Sequence, residues 1–415
     1  MKSLKVAIAA TLGVGACFLF GFSWRDVQHG EVPSAKSLQA LFGVKDLSTL
    51  TPEQSFRQAY SRILGTYIRP VKPVELKYAG MQGLMSSLGD PHTMFLAPRI
   101  AQEFSDQTRA NFGGVGAKLQ PDPLGARISS VFEDGPAYAS GLRGGDVIIA
   151  VNGVSVGSKP LEGIVEKIKG PEGTKVKLTA MRKGHDKPLI FNIKRAKIIT
   201  PTVESKYFPD SKVGWVAIGS FAEPTAAQFD KEINKLEQKN IKGLVIDLRG
   251  NPGGLLGTAV DMLSRFVENK VVVTMKFRDG REEAARTYPG SLHQYNYPIV
   301  ALINEDSASA AEIFSGCLRD YGRATLVGTH SYGKASVQNV IPLVDTSSAK
   351  ITIARYYLPM GSYIGRKVDE DGVYQSGGLE PSVKVDLDLD ADPVMGEPKT
   401  DNQLRKAIEV VLAKK

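Results

Sequence analysis

Cysteine is almost missing from this 415-residue chain. Only Cys17 and Cys317 occur, and Cys17 sits in an apolar N-terminal run, so the body of the protein has no disulfide framework. Histidine is thin as well. His29, His92, His185, His293 and His330 are scattered, and no H-E-x-x-H or Cys/His spacing closes a metal site, so no metal is expected. A basic block is absent too: the net charge is +8, but Lys and Arg are interleaved with 44 acidic residues, which argues against nucleic acid as a partner. There is no internal repeat and no low-complexity tract.

What is present is the composition of a folded protein, 42% hydrophobic and 23% charged, at a length that suggests two or three domains. Lys2 and Lys5 precede an apolar run that ends at Trp24, before Arg25 and Asp26, and residues 1–24 therefore have the format of an export signal. The run reaches the lower limit for spanning a bilayer, so a cleaved signal peptide and a retained membrane anchor both stay open. Val14-Gly15-Ala16-Cys17 has the outline of a lipoprotein processing site, but the apolar Phe18-Leu19-Phe20 that follows opposes it. The expectation is an exported protein, in the periplasm or on the extracytoplasmic face of the cell membrane. Residues 25–47 read as a linker.

From Thr51 the pattern turns helical, with Pro52 at a helix start and Phe56, Tyr60, Ile63 and Leu64 at helical spacing. A second helix is expected over 74–88, broken by Gly89-Asp90-Pro91. Between 111 and 197 short β-branched runs separated by glycines predict strands at 126–131, 146–151 and 175–181, with a helix at 161–168. Beyond residue 213 apolar strands (213–218, 244–248, 299–304) alternate with helices (226–238, 255–267, 310–321), which implies an α/β layer with a mostly parallel sheet. The division is a helical region at 48–111, an inserted β-rich module at 112–197, an α/β core at 198–390 and a C-terminal helical segment at 391–415. The fold class is thus multidomain, α+β with α/β.

Ser309 falls where the strand ending at Asn304 turns into the helix carrying Ile313, Phe314, Cys317, Leu318 and Tyr321. There its hydroxyl faces a cleft and the Ala310 N–H, an unpaired donor of the first helical turn, is free for an oxyanion; a plain helix cap is the alternative. Lys334 lies among small residues in the loop His330-Ser331-Tyr332-Gly333-Lys334-Ala335-Ser336-Val337-Gln338, after a strand at 324–328. Desolvation of such a lysine lowers its pKa, and a neutral amine serves as general base without histidine. A solvated surface lysine, or His330 as base, remain the competing readings. The glycine turn Asp247-Leu248-Arg249-Gly250-Asn251-Pro252-Gly253-Gly254 lacks either phosphate-cradle motif and suits an oxyanion donor from Gly253 or Gly254.

The combination D-L-R-G-N-P-G-G (247–254), S-A-S-A-A-E-I-F (307–314) and Y-G-K-A-S-V-Q (332–338) resembles the C-terminal processing, or tail-specific, proteases. The likeness runs from about Thr51 to Ala413 and takes in S-L-G-D-P-H-T-M-F-L (87–96), F-G-G-V-G-A (112–117) and the helix after Asp401-Asn402-Gln403-Leu404. It implies Ser309 as nucleophile, Lys334 as base and Gln338 as the residue that orients the lysine, with Ala310 and Gly253 or Gly254 as the oxyanion hole. It also implies that 112–197 is an inserted PDZ domain. In that domain the Gly113-Gly114-Val115-Gly116 loop takes a terminal carboxylate, and Val115, Leu161, Ile164, Val165 and Ile168 are candidates for the pocket of the last side chain. The activity implied is a cofactor-free envelope serine endoprotease that recognises unstructured C-terminal tails and cleaves by an acyl-enzyme. Its implied partners are peptides with exposed C-termini, the membrane through residues 1–24, and a second protomer paired through the helical ends. Lys169 stands where an arginine is frequent, and Ser382 where an aspartate is usual. A silent tail-binding scaffold and a hydratase-like enzyme acting on thioesters are the rival readings.

Overall fold

Thr51 opens the first helix with a capping box: its side chain accepts from Gln54 N at 3.3 Å while Gln54 Oε1 accepts from Thr51 N at 3.1 Å. Pro52, pre-set for the first helical position, begins α1 (Pro52–Thr66), and α2 follows (Pro73–Ser86). The computed structural model describes residues 51–293 and 295–413, so the export segment 1–24 and the linker 25–47 lie outside the described residues. Two compact units divide the chain, one reaching Leu84 and the other Met85–Lys415. Within the first, α1 and α2 meet through Tyr60 Oη, which donates to Pro73 O at 2.8 Å.

The second unit starts with β1 (Met94–Leu96) and α3 (Pro98–Thr108), then β2 (Asn111–Gly114) leads into the inserted module. There β3 (Ala117–Asp122), β4 (Gly125–Val131), the one-turn α4 (Pro136–Ala139), β5 (Val147–Val151), β6 (Val154–Ser155), α5 (Leu161–Ile168), β7 (Lys175–Met181) and β8 (Leu189–Lys194) follow in order. The sheet runs β3-β4-β5-β7-β8, with β6 on β5, around a core that includes Ile128, Ile148, Ile164, Leu178 and Ile193. The chain leaves by β9 (Ala196–Ile199), antiparallel to β2, so entrance and exit form one ribbon. Between β8 and β9 the buried Arg195 donates to the carbonyls of Lys167 (3.0 Å), Ile168 (2.8 Å) and Lys175 (3.1 Å). The first two belong to the last turn of α5, where carbonyls lack intrahelical partners and a cation is favoured.

The remaining chain supplies β10 (Val203–Phe208), β11 (Val213–Ile218), α6 (Thr225–Glu237), β12 (Gly243–Asp247), α7 (Leu256–Leu263), β13 (Val271–Phe277), β14 (Glu282–Arg286), β15 (Ile299–Ile303), α8 (Ala310–Asp320), β16 (Thr325–Gly328), β17 (Ser336–Pro342), β18 (Ser348–Tyr357), the small β19 (Lys367–Val368) and β20 (Tyr374–Ser376), β21 (Val383–Lys384) and α9 (Asn402–Ala413). One sheet has the order β10-β11-β12-β15-β16-β21, antiparallel at β10–β11 and parallel thereafter. β12 and β15 are buried along their whole length, which is why they read in the sequence as unbroken apolar runs. Alternate residues serve the two faces. Leu244, Ile246, Ala301 and Ile303 join the larger core with Phe229, Phe266 and Phe314. Val245, Val300 and Leu302 join Trp215 and the Leu404–Val411 stripe of α9 on the other face.

A second, antiparallel sheet, β1-β18-β13-β14 with β17 on β18, was not foreseen in the sequence pattern. It changes one expectation. Residues 336–338, read as part of a loop, open β17, so Gln338 projects from a strand and not from a flexible connection.

Candidate active site

Ser309 stands between β15 and α8 with φ 54° and ψ −115°, a backbone conformation rarely adopted by a residue with a side chain. Neighbours on both sides fix it. Ser307 Oγ donates to Leu248 O at 2.8 Å, and Ala308 N donates to Asn251 O at 2.9 Å, so the serine turn is stitched to the glycine turn after β12. Gly253 packs so close that an added Cβ would lie 2.8 Å from Ser309 Cβ and 2.9 Å from Ala310 N; at Gly254 it would lie 2.3 Å from Phe221 O. With φ of 97° and 147° neither position accommodates a side chain.

The two glycines are not equivalent as donors. Gly253 N donates to Asn251 Oδ1 at 2.8 Å, and Asn251 is itself held by Nδ2 donating to Ile218 O at 2.7 Å. The Gly254 N–H, by contrast, has no acceptor among the described residues, because the Phe221–Gly254 bridge uses Gly253 O and Leu255 N. Ala310 N–H, at the first position of α8, is likewise unspent. Of the three expected oxyanion donors, Ala310 and Gly254 are free in this structure.

A cavity of about 680 Å³ brings Ser309, Ala310, Gly253, Gly254, Lys334 and Gln338 together. Burial, with the positive charge of Lys350 adding to it and Glu312 and Asp90 opposing, lowers the Lys334 pKa to about 8. Glu312, 0% exposed, accepts from Ser309 N (2.8 Å) and Lys334 N (2.9 Å) on Oε2 and from Ser331 Oγ (2.5 Å) and Gly333 N (2.7 Å) on Oε1. Burial pushes its carboxyl pKa up, and these four donors pull the other way. Four donors and no acceptor around it suit the carboxylate. Tyr356 Oη donates to Lys334 O, closing the loop from the far side.

Gln338 lines the cavity, but its amide donates to Ser336 Oγ (2.8 Å) and Thr352 Oγ1 (3.1 Å), so its hydrogen bonds run along the β17–β18 pair and not to Lys334. His330 is not among the lining residues. Its ring stacks on Tyr374 at 4.3 Å, outside the cavity that holds the serine. Sequence reading missed Glu312, Lys350 and Asp90. Only Glu312 left a signal: a glutamate three positions after a serine at a helix start is a capping pattern.

In the inserted module a smaller cavity, about 100 Å³, is lined by Phe112, Gly114, Val115, Gly116, Ala117, Leu119, Ile148, Val165, Ile168 and Lys169. The expected carboxylate loop is corrected in part: Gly113 and Gly114 belong to strand β2, and Gly113 O accepts from Gly170 N at 3.1 Å. Gly113 does not line the cavity, whereas Gly114, Val115 and Gly116 do. Of the apolar candidates, Val115, Val165 and Ile168 face it. Ile164 is fully buried in the module core and Leu161 packs against that core, because positions 161, 164 and 168 recur on the inner face of α5. Lys169 lies 4.5 Å over the Phe112 ring at the cavity wall.

Residues 212–384 match peptidase family S41, and residues 103–181 match the PDZ domain, which begins and ends earlier than the 112–197 read from the sequence. Carboxy-terminal processing protease CtpB of Bacillus subtilis (strain 168) is 35% identical over 331 residues, 79% of this chain and 66% of its own length. Carboxy-terminal processing protease CtpA of the same strain is 31% identical over 383 residues, 90% of this chain and 79% of its own. Among solved structures, the photosystem II D1 C-terminal processing protease aligns with 88% of this chain and 98% of its own at 24% identity and a TM-score of 0.47.

Proposed function

The chain belongs to peptidase family S41, the carboxy-terminal processing proteases, and we propose that it is an endopeptidase that holds unstructured C-terminal tails in its PDZ groove and cleaves upstream with Ser309 and Lys334. The observation that carries this reading is the shared cavity of Ser309 and Lys334, with the lysine pKa brought down to about 8. Near that pH a substantial part of the amine is neutral. It takes the Ser309 Oγ proton as Oγ bonds to the peptide carbonyl carbon, and the carbonyl oxygen gains charge beside the free N–H groups of Ala310 and Gly254. When the C–N bond breaks, Lys334 returns the proton to the leaving amine. Water, deprotonated by the same lysine, then attacks the acyl carbon, and as the ester bond breaks Lys334 returns that proton to Ser309 Oγ.

Gln338 acts in this scheme as a wall of the cleft that reaches Lys334 once substrate displaces its present hydrogen bonds. The small cavity at Gly114–Gly116 receives the last residue of the tail, with backbone N–H groups toward its carboxylate. Export through residues 1–24, to the periplasm or the outer face of the cell membrane, completes the proposal, because Lys2 and Lys5 before an apolar run ending at Trp24 have the format of an export signal.

Incubating the purified chain from Thr51 onward with a disordered peptide and sequencing the new termini tests the reading. Cleavage by the wild-type chain, absent in Ser309→Ala, is the expected result. Equal cleavage by Ser309→Ala would remove this serine from the chemistry.

A further inference from the structure

The cavity holding Ser309 and Lys334 carries charge of one sign. Among the described residues no Asp, Glu, Arg or His lines it; the cations are Lys334 and Lys350. Lys334 has its part in proton transfer, while Lys350 has none. On β18, Lys350 pairs with Val340 as Thr352 pairs with Gln338, so Gln338, Val340 and Lys350 share the face of the β17–β18 ribbon that lines the cavity. The Lys350 ammonium lies 5.3 Å over the Phe104 ring.

Among the described residues Asp90 is the anion that acts on Lys350, and it spends its oxygens on His92 N (2.9 Å), Thr93 Oγ1 (2.7 Å) and the Thr352 hydroxyl. A half-buried ammonium with no salt-bridge partner among the described residues, in an otherwise largely apolar cleft of Phe104, Leu255, Leu256, Ile313 and Val340, favours an incoming anion and repels an incoming cation.

We propose that Lys350 is a specificity-determining residue that selects substrates carrying a carboxylate close to the scissile bond, supplied by an Asp or Glu side chain set among apolar neighbours. The inference rests on the peptidase reading above. The same chemistry could come from the α-carboxylate of a tail ending inside the cleft, and the test separates the two.

Peptides with Asp or Glu, Asn or Gln, or Lys at successive positions around one cleavage site, each with a free and an amidated C-terminus, are cleaved in competition and the ratios of kcat/KM compared. Ratios within one enzyme cancel any change in the basicity of Lys334. Wild type is expected to favour the acidic peptide over its amide isostere by about tenfold, as a charge-assisted bond supplies. Lys350→Gln should fall to near parity, Lys350→Arg should keep the preference, and Lys350→Glu should turn it toward Lys. Equal ratios in wild type and Lys350→Gln would overturn the proposal. A Lys350-dependent preference that follows C-terminal amidation and ignores the side chain would overturn the side-chain assignment in favour of the α-carboxylate. Affinities of the same peptides for Ser309→Ala and Ser309→Ala/Lys350→Gln are measured alongside. A Lys350-dependent acid preference in binding with no cleavage by wild type would sink the peptidase reading and leave the role of Lys350 standing.

Discussion

The backbone N–H groups of Ser309 and Lys334 converge on one atom, Glu312 Oε2, at 2.8 and 2.9 Å. The proposed nucleophile and base come from separate segments, one at the start of α8 and one in the loop before β17. A single buried carboxylate therefore sets their spacing, and its second oxygen holds Ser331 and Gly333 of the same loop.

Glu312→Gln is the direct test of that arrangement. The amide NH2 would face donors where an oxygen now accepts, leaving two buried N–H groups unpaired. We expect a loss of about 2–3 kcal/mol in stability and of about 100-fold in kcat, as small misplacements of reacting groups cause. Urea unfolding and steady-state kinetics on the same sample measure both. Wild-type kcat in a normally folded Glu312→Gln chain would show that the carboxylate does not position the pair.

Activity should rise with pH as Lys334 loses its proton, with the acid limb of kcat/KM centred near pH 8. The charged and titratable groups around it push in opposite directions. Lys350 lowers the Lys334 pKa, and Glu312 and Asp90 raise it; His92 is itself held down by burial and by Lys334. Removing a positive neighbour by Lys350→Met should move the limb to higher pH, and removing a negative one by Asp90→Asn should move it to lower pH. Shifts of the same sign in both variants would contradict the electrostatic origin.

Arg249 is buried between two acids. Its guanidinium donates to both oxygens of Asp247 (2.9 and 2.6 Å) and both of Asp401 (2.9 and 2.6 Å), and Trp215 Nε1 adds a bond to Asp247 at 3.1 Å. Arg249→Met would strand two buried carboxylates, at a cost of about 3–5 kcal/mol. Burial alone would raise the Asp401 pKa, but the Arg249 bonds hold it below the usual carboxylate value. Because the folded value lies below the unfolded one, this stabilisation is present above the ordinary carboxylate range and is lost as pH falls through the folded value. Denaturation midpoints should therefore drop in acid for wild type and change less for Arg249→Met, which starts lower near neutral pH. Parallel pH curves would refute the pairing as their cause.

In the groove proposed at Gly114–Gly116, the terminal charge of the tail is expected to carry part of the affinity. An amidated peptide should bind about ten- to a hundredfold more weakly than the free acid, the span of a lost charge-assisted bond. Titration of Ser309→Ala with both peptides checks this without turnover, and equal affinities would remove the carboxylate from the recognition.

Much of the α/β layer was legible because strands such as β15 are buried on both faces and leave unbroken apolar runs, while α8 carries an apolar stripe. The serine, the lysine and the glycine turn were legible as short motifs at strand ends. The antiparallel sheet was not. β17 and β18 are partly exposed, so no clean alternation marks them, and β18 brings Lys350 and Tyr356 to a cavity whose other lining residues lie upstream. Asp90 is separated from that site by the whole inserted module, a contact no periodicity encodes. Which glycine keeps its N–H free is decided by the Asn251 side chain, a rotamer outcome invisible in the order of residues.

Asp401 reaches Arg249 from just before α9, while Asp247 and Arg249 lead straight into the turn that presents Gly254. During synthesis the ribosome delivers Ser309 and Lys334 well ahead of Asp401. A nascent chain that already holds Ser309 and Lys334 thus still lacks the carboxylate that steadies the turn beside them. The turn that presents Gly254 thus gains its full set of ion pairs only once the chain has been made through Asp401.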